Sequence, residues 1–455
     1  MIFTNFSFFL FFLVFLCIYS FVNVKIKTYV LLFGNIIFCL YAGWQSFVVA
    51  LFVILVTYFM GNAKRIGCWC GIGINIATLV FFKYFFKAFY PLGISFYTFT
   101  SIAYLADILK SNDDNKNVEK NFIHFFNFIL LFPKLVSGPV ERASNLLPQL
   151  KEKKTITFEN LQLGFHLFLF GLFKKIVIAN RLQIYVDKVF DNLTSFGGLS
   201  LVIAVIFYSI QIYCDFSGYT DMALGVAKVF GFDLTQNFKN PYSAESVGEF
   251  WHKWHISLST WLRDYIYIPL GGNRKGLPRK CLNISLTFLV SGIWHGSTFM
   301  FCIWGMLHAL FQIAETLFIN KLKIHHYVKH ILTLICIAFA WIFFRLNTVH
   351  DIPLFFNNLF DKSWYSFEKL LVSFSGITFT TFNNMTPAFL LNVNVFISVL
   401  FLFAVSKIEI INEKHISEVI VLEKKMKRYI FDYALIFLIF TTGVFDSTRF
   451  IYAAF

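Results

Sequence analysis

Long apolar runs alternate with short basic interruptions along almost the whole chain. The runs Phe6–Val22, Ser46–Met60, Phe299–Phe318, His330–Phe344 and Ile430–Phe445 approach or reach the roughly 18 residues that read as a membrane-crossing helix. Between the runs lie Lys25 and Lys27, Lys64 and Arg65, Lys110–Lys120, Lys151–Lys154, Gly271–Lys280, Lys321–Lys329 and Lys407–Arg428. Lysine and arginine gather in the cytoplasmic loops of membrane proteins. The alternation therefore predicts an all-α integral membrane protein of roughly eleven spans, with the N-terminus and the C-terminus facing outward. The first run has no basic n-region and no small-residue cleavage site after Ser20, so it is expected to be a retained membrane segment.

Two regions break this pattern. Asn121–Pro139 is apolar but interrupted by Pro133, Lys134, Gly138 and Pro139, which suits a re-entrant hairpin facing protein better than a regular span. Farther on, Lys174, Lys175 and Arg181 fall toward the outer side if Leu161–Ala179 simply spans, so tilted or partial helices are expected from 155 to 245. Within that region Ala223, Ala227 and Gly231 form a small-residue row that allows close helix approach. Asp215 and Asp221 must face protein or water, because carboxylates at membrane depth are costly.

The stretch Glu249–Gly272, EFWHKWHISLSTWLRDYIYIPLGG, concentrates charge, histidine and tryptophan in this lipid-like sequence. Read as one amphipathic helix, it sets Trp251 and His255 four residues apart and Trp254, Leu258 and Trp261 on a second stripe. Arg263 and Asp264 close it before Pro269. No internal repeat or linker is visible, so a single polytopic domain, 1–455, is expected.

Composition agrees with the pattern: 58% of residues are hydrophobic, against about 45–50% in a soluble domain. The net charge of +14 belongs to cytoplasmic loops and anionic lipid rather than to nucleic acid. The eight cysteines form no paired CxxC spacing, which argues against zinc and against a disulfide framework. His252 and His255 are three apart, but no compact Cys/His/Glu set adjoins them, so no metal is expected. There is no GxSxG and no phosphate-cradling glycine loop.

His295 closes the apolar run ending in SGIWHG, and His308 lies inside the next. An intramembrane histidine is either functional or a buried neutral ring hydrogen-bonded to backbone. Taken together, the residues predict an aqueous cavity in the membrane, lined by His255, His295, tryptophans and tyrosines, with Arg263 and Asp264 at its cytoplasmic edge. Such a cavity suits an enzyme or a transporter.

Five longer strings carry a resemblance: PLGISFYTFTSIAYLAD at Pro91–Asp107, FPKLVSGPVER at Phe132–Arg142, CDFSGYTDMALGVAKVFGF at Cys214–Phe232, NPYSAESVGEFWHKWHISLSTWLRDYIYIPLGGNR at Asn240–Arg274 and SGIWHGSTFMFCIWGMLHAL at Ser291–Leu310. With them the chain resembles the membrane-bound O-acyltransferase superfamily, in its branch of alginate and peptidoglycan O-acetyltransferases. The resemblance implies a motif-rich catalytic core over 91–345 and a ring of membrane helices, with re-entrant and amphipathic ones, around a central funnel. It implies His295 as catalytic residue and His255 as the second essential histidine. Trp251, His252, Trp254, Ser257, Trp261, Arg263, Asp264 and Trp294 are then candidates for lining the funnel that admits the acyl donor, with acetyl-CoA the expected donor.

The short outward-facing tail, 446–455, ends in FIYAAF and resembles the Phe-Ile-Tyr tail of some cell-wall acyltransferase systems, which makes Tyr452 a candidate acyl relay; its other reading is an interfacial aromatic anchor. The resemblance further implies a bacterial inner-membrane enzyme that acetylates an envelope polysaccharide through a periplasmic or secreted partner transferase. The weight of Phe, Ile, Asn and Lys favours peptidoglycan over alginate or another exopolysaccharide. The competing class is a polysaccharide or proton-coupled transporter, in which the same histidines and carboxylates relay protons.

Overall fold

The computed structural model describes residues 3–86, 88–111, 118–319, 322, 324–374, 388–412, 414–422 and 425–445. Helices dominate, and no strand occurs among these residues. Six helical runs are long and apolar enough to cross a membrane: Trp44–Asn62, Lys64–Phe85, Phe158–Phe190, Leu199–Val229, Phe299–Leu317 and His326–Arg345. Phe6–Phe21, Lys27–Tyr41 and Phe122–Lys134 are shorter apolar helices. Many of their side chains point outward: Phe6, Phe33, Phe59 and Phe437 are exposed, as expected for helices that face hydrocarbon.

The described residues fall into two compact units, 3–169 with 219–236 and 170–218 with 237–445. In the first, Asn35 and Asn127 form a buried polar link: Asn35 Nδ2 donates to Asn127 Oδ1 (3.0 Å), and Phe132 N–H donates to Asn35 Oδ1 (2.8 Å). The backbone freed where the helix Phe122–Leu130 stops thus finds a partner. Residues 125–141 are all buried, and Lys134 Nζ donates to Ile129 O (3.0 Å). This stretch is interrupted, as its prolines and glycine predict. A Cβ on Gly225 would stand 2.6 Å from Gly164 O, so these two glycines, rather than Ala223 and Ala227 alone, set the closest backbone approach. Gly231, at φ +82°, ends the helix in the left-handed region.

The second unit holds most of the candidate chemistry. Here 170–190 does not break into partial helices. Instead one run continues through a π-helical segment, Phe173–Ala179, which carries Lys174 and Lys175 into the protein interior. Lys175 pairs with Asp215 in a buried ion pair, and Lys174 Nζ lies over the rings of Phe170 (4.9 Å) and Tyr213 (5.7 Å). Two of the three cations that upset the topology count, Lys174 and Lys175, are thus stacked or neutralised within the unit. The last described helix, Lys425–Thr442, ends against the same π segment. Val444 N–H donates to Ile176 O (2.8 Å), Asn180 Nδ2 to Val444 O (2.7 Å), and the buried Arg181 guanidinium to Thr442 O. A π-helix leaves carbonyls without their i+4 partner; the C-terminal strand of backbone supplies one.

The stretch 249–267 departs from its expected form. It is two short helices, Val247–Lys253 and Ile256–Leu262, followed by a π-helical turn, Arg263–Tyr267. The break falls at His255, whose φ of +42° lies in the left-handed region, uncommon for a residue with a Cβ. The Trp251–His255 spacing is therefore not that of a continuous helix. Two caps explain how short helices persist. Ser246 Oγ accepts from Glu249 N–H (2.9 Å), while the Glu315 carboxylate accepts from Val247 and Gly248 N–H. Past the break, Asn237 O accepts from Ile256 N–H (2.9 Å), and Asn237 Oδ1 accepts from Ser257 Oγ (2.6 Å). Apart from Glu249 N–H, which its own N-cap Ser246 satisfies, the amide groups at the helix starts that these partners reach are satisfied from distant segments.

Candidate active site

His295 is the last residue of the helix Gly276–His295 and is 1% exposed; His255 is fully buried. Two glycines bring His295 to its neighbours. A Cβ on Gly292 would collide with Phe301 O, and one on Gly305 with Phe288 O, so the helix Gly276–His295 and the helix Phe299–Leu317 meet backbone to backbone. Gly296, directly after His295, is extended, and a Cβ there would enter the Phe301 ring. The glycine of SGIWHG is required by this contact and not by its φ.

The indole of Trp294 is near both histidines, its ring centroid 6.2 Å from that of His255 and 4.7 Å from that of His295. Phe216 packs edge-on against His255 at 4.6 Å. On the other side His295 meets Trp304 (4.8 Å) and Phe344 (5.5 Å). Burial pushes the His255 imidazole down to about 3, so it stays neutral at ordinary pH.

A cavity of about 450 Å³ opens beside this cluster. Trp251 is its wall toward the histidines: the Trp251 ring lies 5.7 Å from Trp304, which in turn touches His295. Trp251 Nε1–H donates to His308 Nδ1 (3.2 Å), which fixes the indole and makes His308 an acceptor. Arg263, Lys280, His252 and Tyr267 supply the polar and basic part of the lining, Ile284 and Phe288 part of the apolar one. Burial raises the Tyr267 phenol above its usual value. Burial would also raise Glu249, but hydrogen bonds from Lys253 and from Glu245 N–H hold its carboxyl below the usual range.

Of the eight residues expected along the donor funnel, Trp251, His252 and Arg263 line this cavity. The other five take different places. Trp254 is buried among Phe238, Phe250 and Trp341 at 5.1–5.3 Å. Ser257 is tied to Asn237, Trp261 lies tilted against Tyr265 (5.3 Å), Asp264 accepts from Arg263 Nε (2.8 Å), and Trp294 packs near both histidines. Tyr452 lies outside the described residues. Asn237, Trp304, Phe344, Lys280 and Glu315 escape a reading of the sequence alone. Trp304 and Phe344 sit in apolar runs like many others, and only Asn237, a polar residue just before the NPY turn, offers a local signal. Among the described residues no group of three or more His, Cys, Asp or Glu side chains is placed to hold a metal ion.

A helical protein with several apolar spans and two histidines buried beside a basic cavity has the makings of a membrane acyltransferase. Residues 98–350 match the model of the membrane-bound O-acyltransferase family, and the chain belongs to that family. It is a multi-pass membrane protein and an acyltransferase. It is 34% identical over 415 residues to a Pseudomonas putida protein named as a probable alginate O-acetylase, covering 83% of this chain and 84% of the relative. It is also 34% identical over 379 residues to the peptidoglycan O-acetyltransferase of Helicobacter pylori, covering 73% and 70%. The teichoic acid D-alanyltransferase of Bacillus subtilis is similar at 29% over 238 residues, 50% of this chain and 59% of the relative.

Proposed function

We propose that the protein is an O-acetyltransferase of the bacterial inner membrane that takes acetyl from a cytoplasmic thioester and delivers it outward for O-acetylation of a cell-envelope polysaccharide, peptidoglycan by preference. The carrying observation is the cluster of His295, His255 and Trp294, with a basic cavity whose wall residue Trp251 reaches His295 through Trp304. Arg263 and Lys280 suit the phosphates of acetyl-CoA, and the apolar wall suits the acyl arm. His295 removes the proton of an acceptor hydroxyl as its oxygen attacks the thioester carbonyl. The C–S bond breaks as the tetrahedral intermediate collapses, and the proton passes to the leaving thiolate. His255, neutral, is the second polar group of the chamber.

Tyr452 is the acceptor hydroxyl of this scheme, a relay that passes acetyl to a periplasmic partner transferase. The relatives act on alginate and on peptidoglycan by their names, and the two identities are equal. The choice of peptidoglycan rests on the chain's composition.

Purified protein incubated with radiolabelled acetyl-CoA and the partner tests the scheme. Loss of a general base costs about 10²–10⁴ in rate, so His295→Ala is expected to lose label transfer by that factor; transfer at the wild-type rate removes His295 from the chemistry. Tyr452→Phe is expected to abolish polymer acetylation at unchanged protein levels, and unchanged acetylation discards the relay. Mass spectrometry of muropeptides from a deletion strain identifies the polymer: loss of O-acetyl groups is expected there, and intact muropeptides point to an exopolysaccharide.

A further inference from the structure

The acyl-transfer scheme makes no use of His308, although this histidine is fully buried inside an apolar span, where a histidine is costly unless it serves a purpose. Its ring lies among those of Trp251 (5.0 Å), Trp304 (5.0 Å), Phe288 (5.9 Å) and Trp341 (6.2 Å). An indole N–H only donates, so the 3.2 Å bond from Trp251 Nε1 occupies the lone pair of His308 Nδ1. That nitrogen is committed to holding an indole and is not free to take a proton from a substrate.

The indole so held belongs to the wall of the 450 Å³ cavity. Trp251 stands on a helix of seven residues, Val247–Lys253, too short to persist on its own hydrogen bonds, so tertiary ties must set its place. The helix Phe299–Leu317 supplies two of them. Glu315 accepts from Val247 and Gly248 N–H at the start of the short helix, and His308, two turns earlier on the same face, accepts from Trp251. One turn before His308, Trp304 meets the His295 ring at 4.8 Å and the Trp251 ring at 5.7 Å. A single helix face thus touches both the candidate base and the wall of the cavity.

Resting on the reading of that cavity as the acyl-donor site, we propose that His308 is a positioning residue for the donor: its Nδ1 holds the Trp251 indole against the helix Phe299–Leu317 and so keeps the cavity in its donor-binding form. His308 takes no part in the proton transfer. Without the acceptor, the Trp251 N–H is a buried donor left unmet, which is costly, and the indole leaves this position in part of the population. Donor affinity then falls with the fraction of protein that remains competent. A donor once bound still meets an unaltered His295, so KM for acetyl-CoA rises while kcat holds.

Acetyl transfer at varied acetyl-CoA, together with isothermal titration of CoA into the full-length protein in detergent, tests the proposal. His308→Leu removes the acceptor and is expected to raise both KM and the CoA Kd about tenfold, the scale of one buried donor left without its partner, with kcat within about twofold. His308→Asn, whose Oδ1 is again an acceptor, is expected to bring both back to within about threefold of wild type. A merely structural role would not divide KM from kcat or distinguish Asn from Leu. Wild-type KM and Kd in His308→Leu, or a fall in kcat at unchanged KM, overturns the positioning role. Arg263→Gln and Lys280→Gln, at other residues of the lining, test the donor reading separately. If they weaken CoA binding while His308→Leu does not, the donor site stands and this inference falls. CoA binding that is absent from wild type, or that both leave unchanged, overturns the donor reading and this inference with it. If His308→Leu does not fold, Trp251→Phe removes the same hydrogen bond from the donor side and gives the same reading.

Discussion

His255 combines two demands that its type alone does not meet. Its backbone sits at φ +42°, where asparagine and glycine are at home, and its ring is fully buried between Phe216 and Trp294. Substitution can separate the two. His255→Asn keeps a residue that tolerates the left-handed turn and removes the imidazole, so it is expected to fold while losing acetyl transfer by about tenfold or more, the scale of about 1–3 kcal/mol for one buried polar group of the chamber. His255→Val adds a β-branched residue at a left-handed position, where the cost is roughly 1–2 kcal/mol, read as a lower melting temperature beside the Asn variant.

The ring also sets a pH signature. Its folded pKa is lowered to about 3 from 6.5, so below 6.5 the unfolded chain binds a proton that the native state refuses. Stability is therefore full above pH 6.5 and falls as pH drops toward 3. Melting curves at stepped pH are expected to fall more steeply on the acid side for wild type than for His255→Asn. Parallel curves would remove the buried neutral ring as the cause.

At the level of elements, the site depends on a helix pair that touches through glycine. Gly292→Ala forces the Gly276–His295 helix away from Phe301 O, and overpacking of this kind costs about 1–3 kcal/mol. His295 follows within the same turn of that helix, so transfer is expected to fall more than the melting temperature does. Wild-type kinetics with a lowered melting point would show that the contact serves stability alone.

This scale also shows what the sequence makes legible. His295 is visible because it ends an apolar run and is followed by glycine. The broken form of 249–267 is not, because the helical spacing of Trp251 with His255, and of Trp254 with Leu258 and Trp261, is sound. What interrupts it is Asn237, which satisfies Ile256 and Ser257 from 19 and 20 residues away in sequence. The gathering of Trp304 and Phe344 about His295 is equally hidden, as both are aromatic residues in runs crowded with them, and 63 phenylalanines in the chain make any one uninformative. The cationic segment Lys174–Lys175 misleads a topology count for a related reason: hydropathy records the charge but not the carboxylate of Asp215 that meets it.

For the molecule as a whole, the apolar spans and basic loops are read directly from the sequence, whereas the long-range polar ties that fix the helices are not. Arg181 is the clearest of these. Its buried guanidinium reaches Thr442 O through Nε (3.1 Å) and Nη2, while Asn180 and Ile176 hold Val444. Hydrogen bonds to a charged group contribute about 1.5–3 kcal/mol, and Arg181→Met is expected to lower the melting temperature and to open Lys425–Thr442 to protease. An unchanged digestion pattern would show that packing alone secures that helix.

The partners of this clasp are 261 residues apart. At about 5–20 residues per second of synthesis, Arg181 leaves the ribosome on the order of half a minute before Thr442 exists. During that interval the guanidinium lacks the Thr442 carbonyl that it meets in the finished protein. Completion of this region therefore waits for Lys425–Thr442 to be made, and a chain cut short before Thr442 would reach the membrane without this clasp and be more open to quality-control proteolysis.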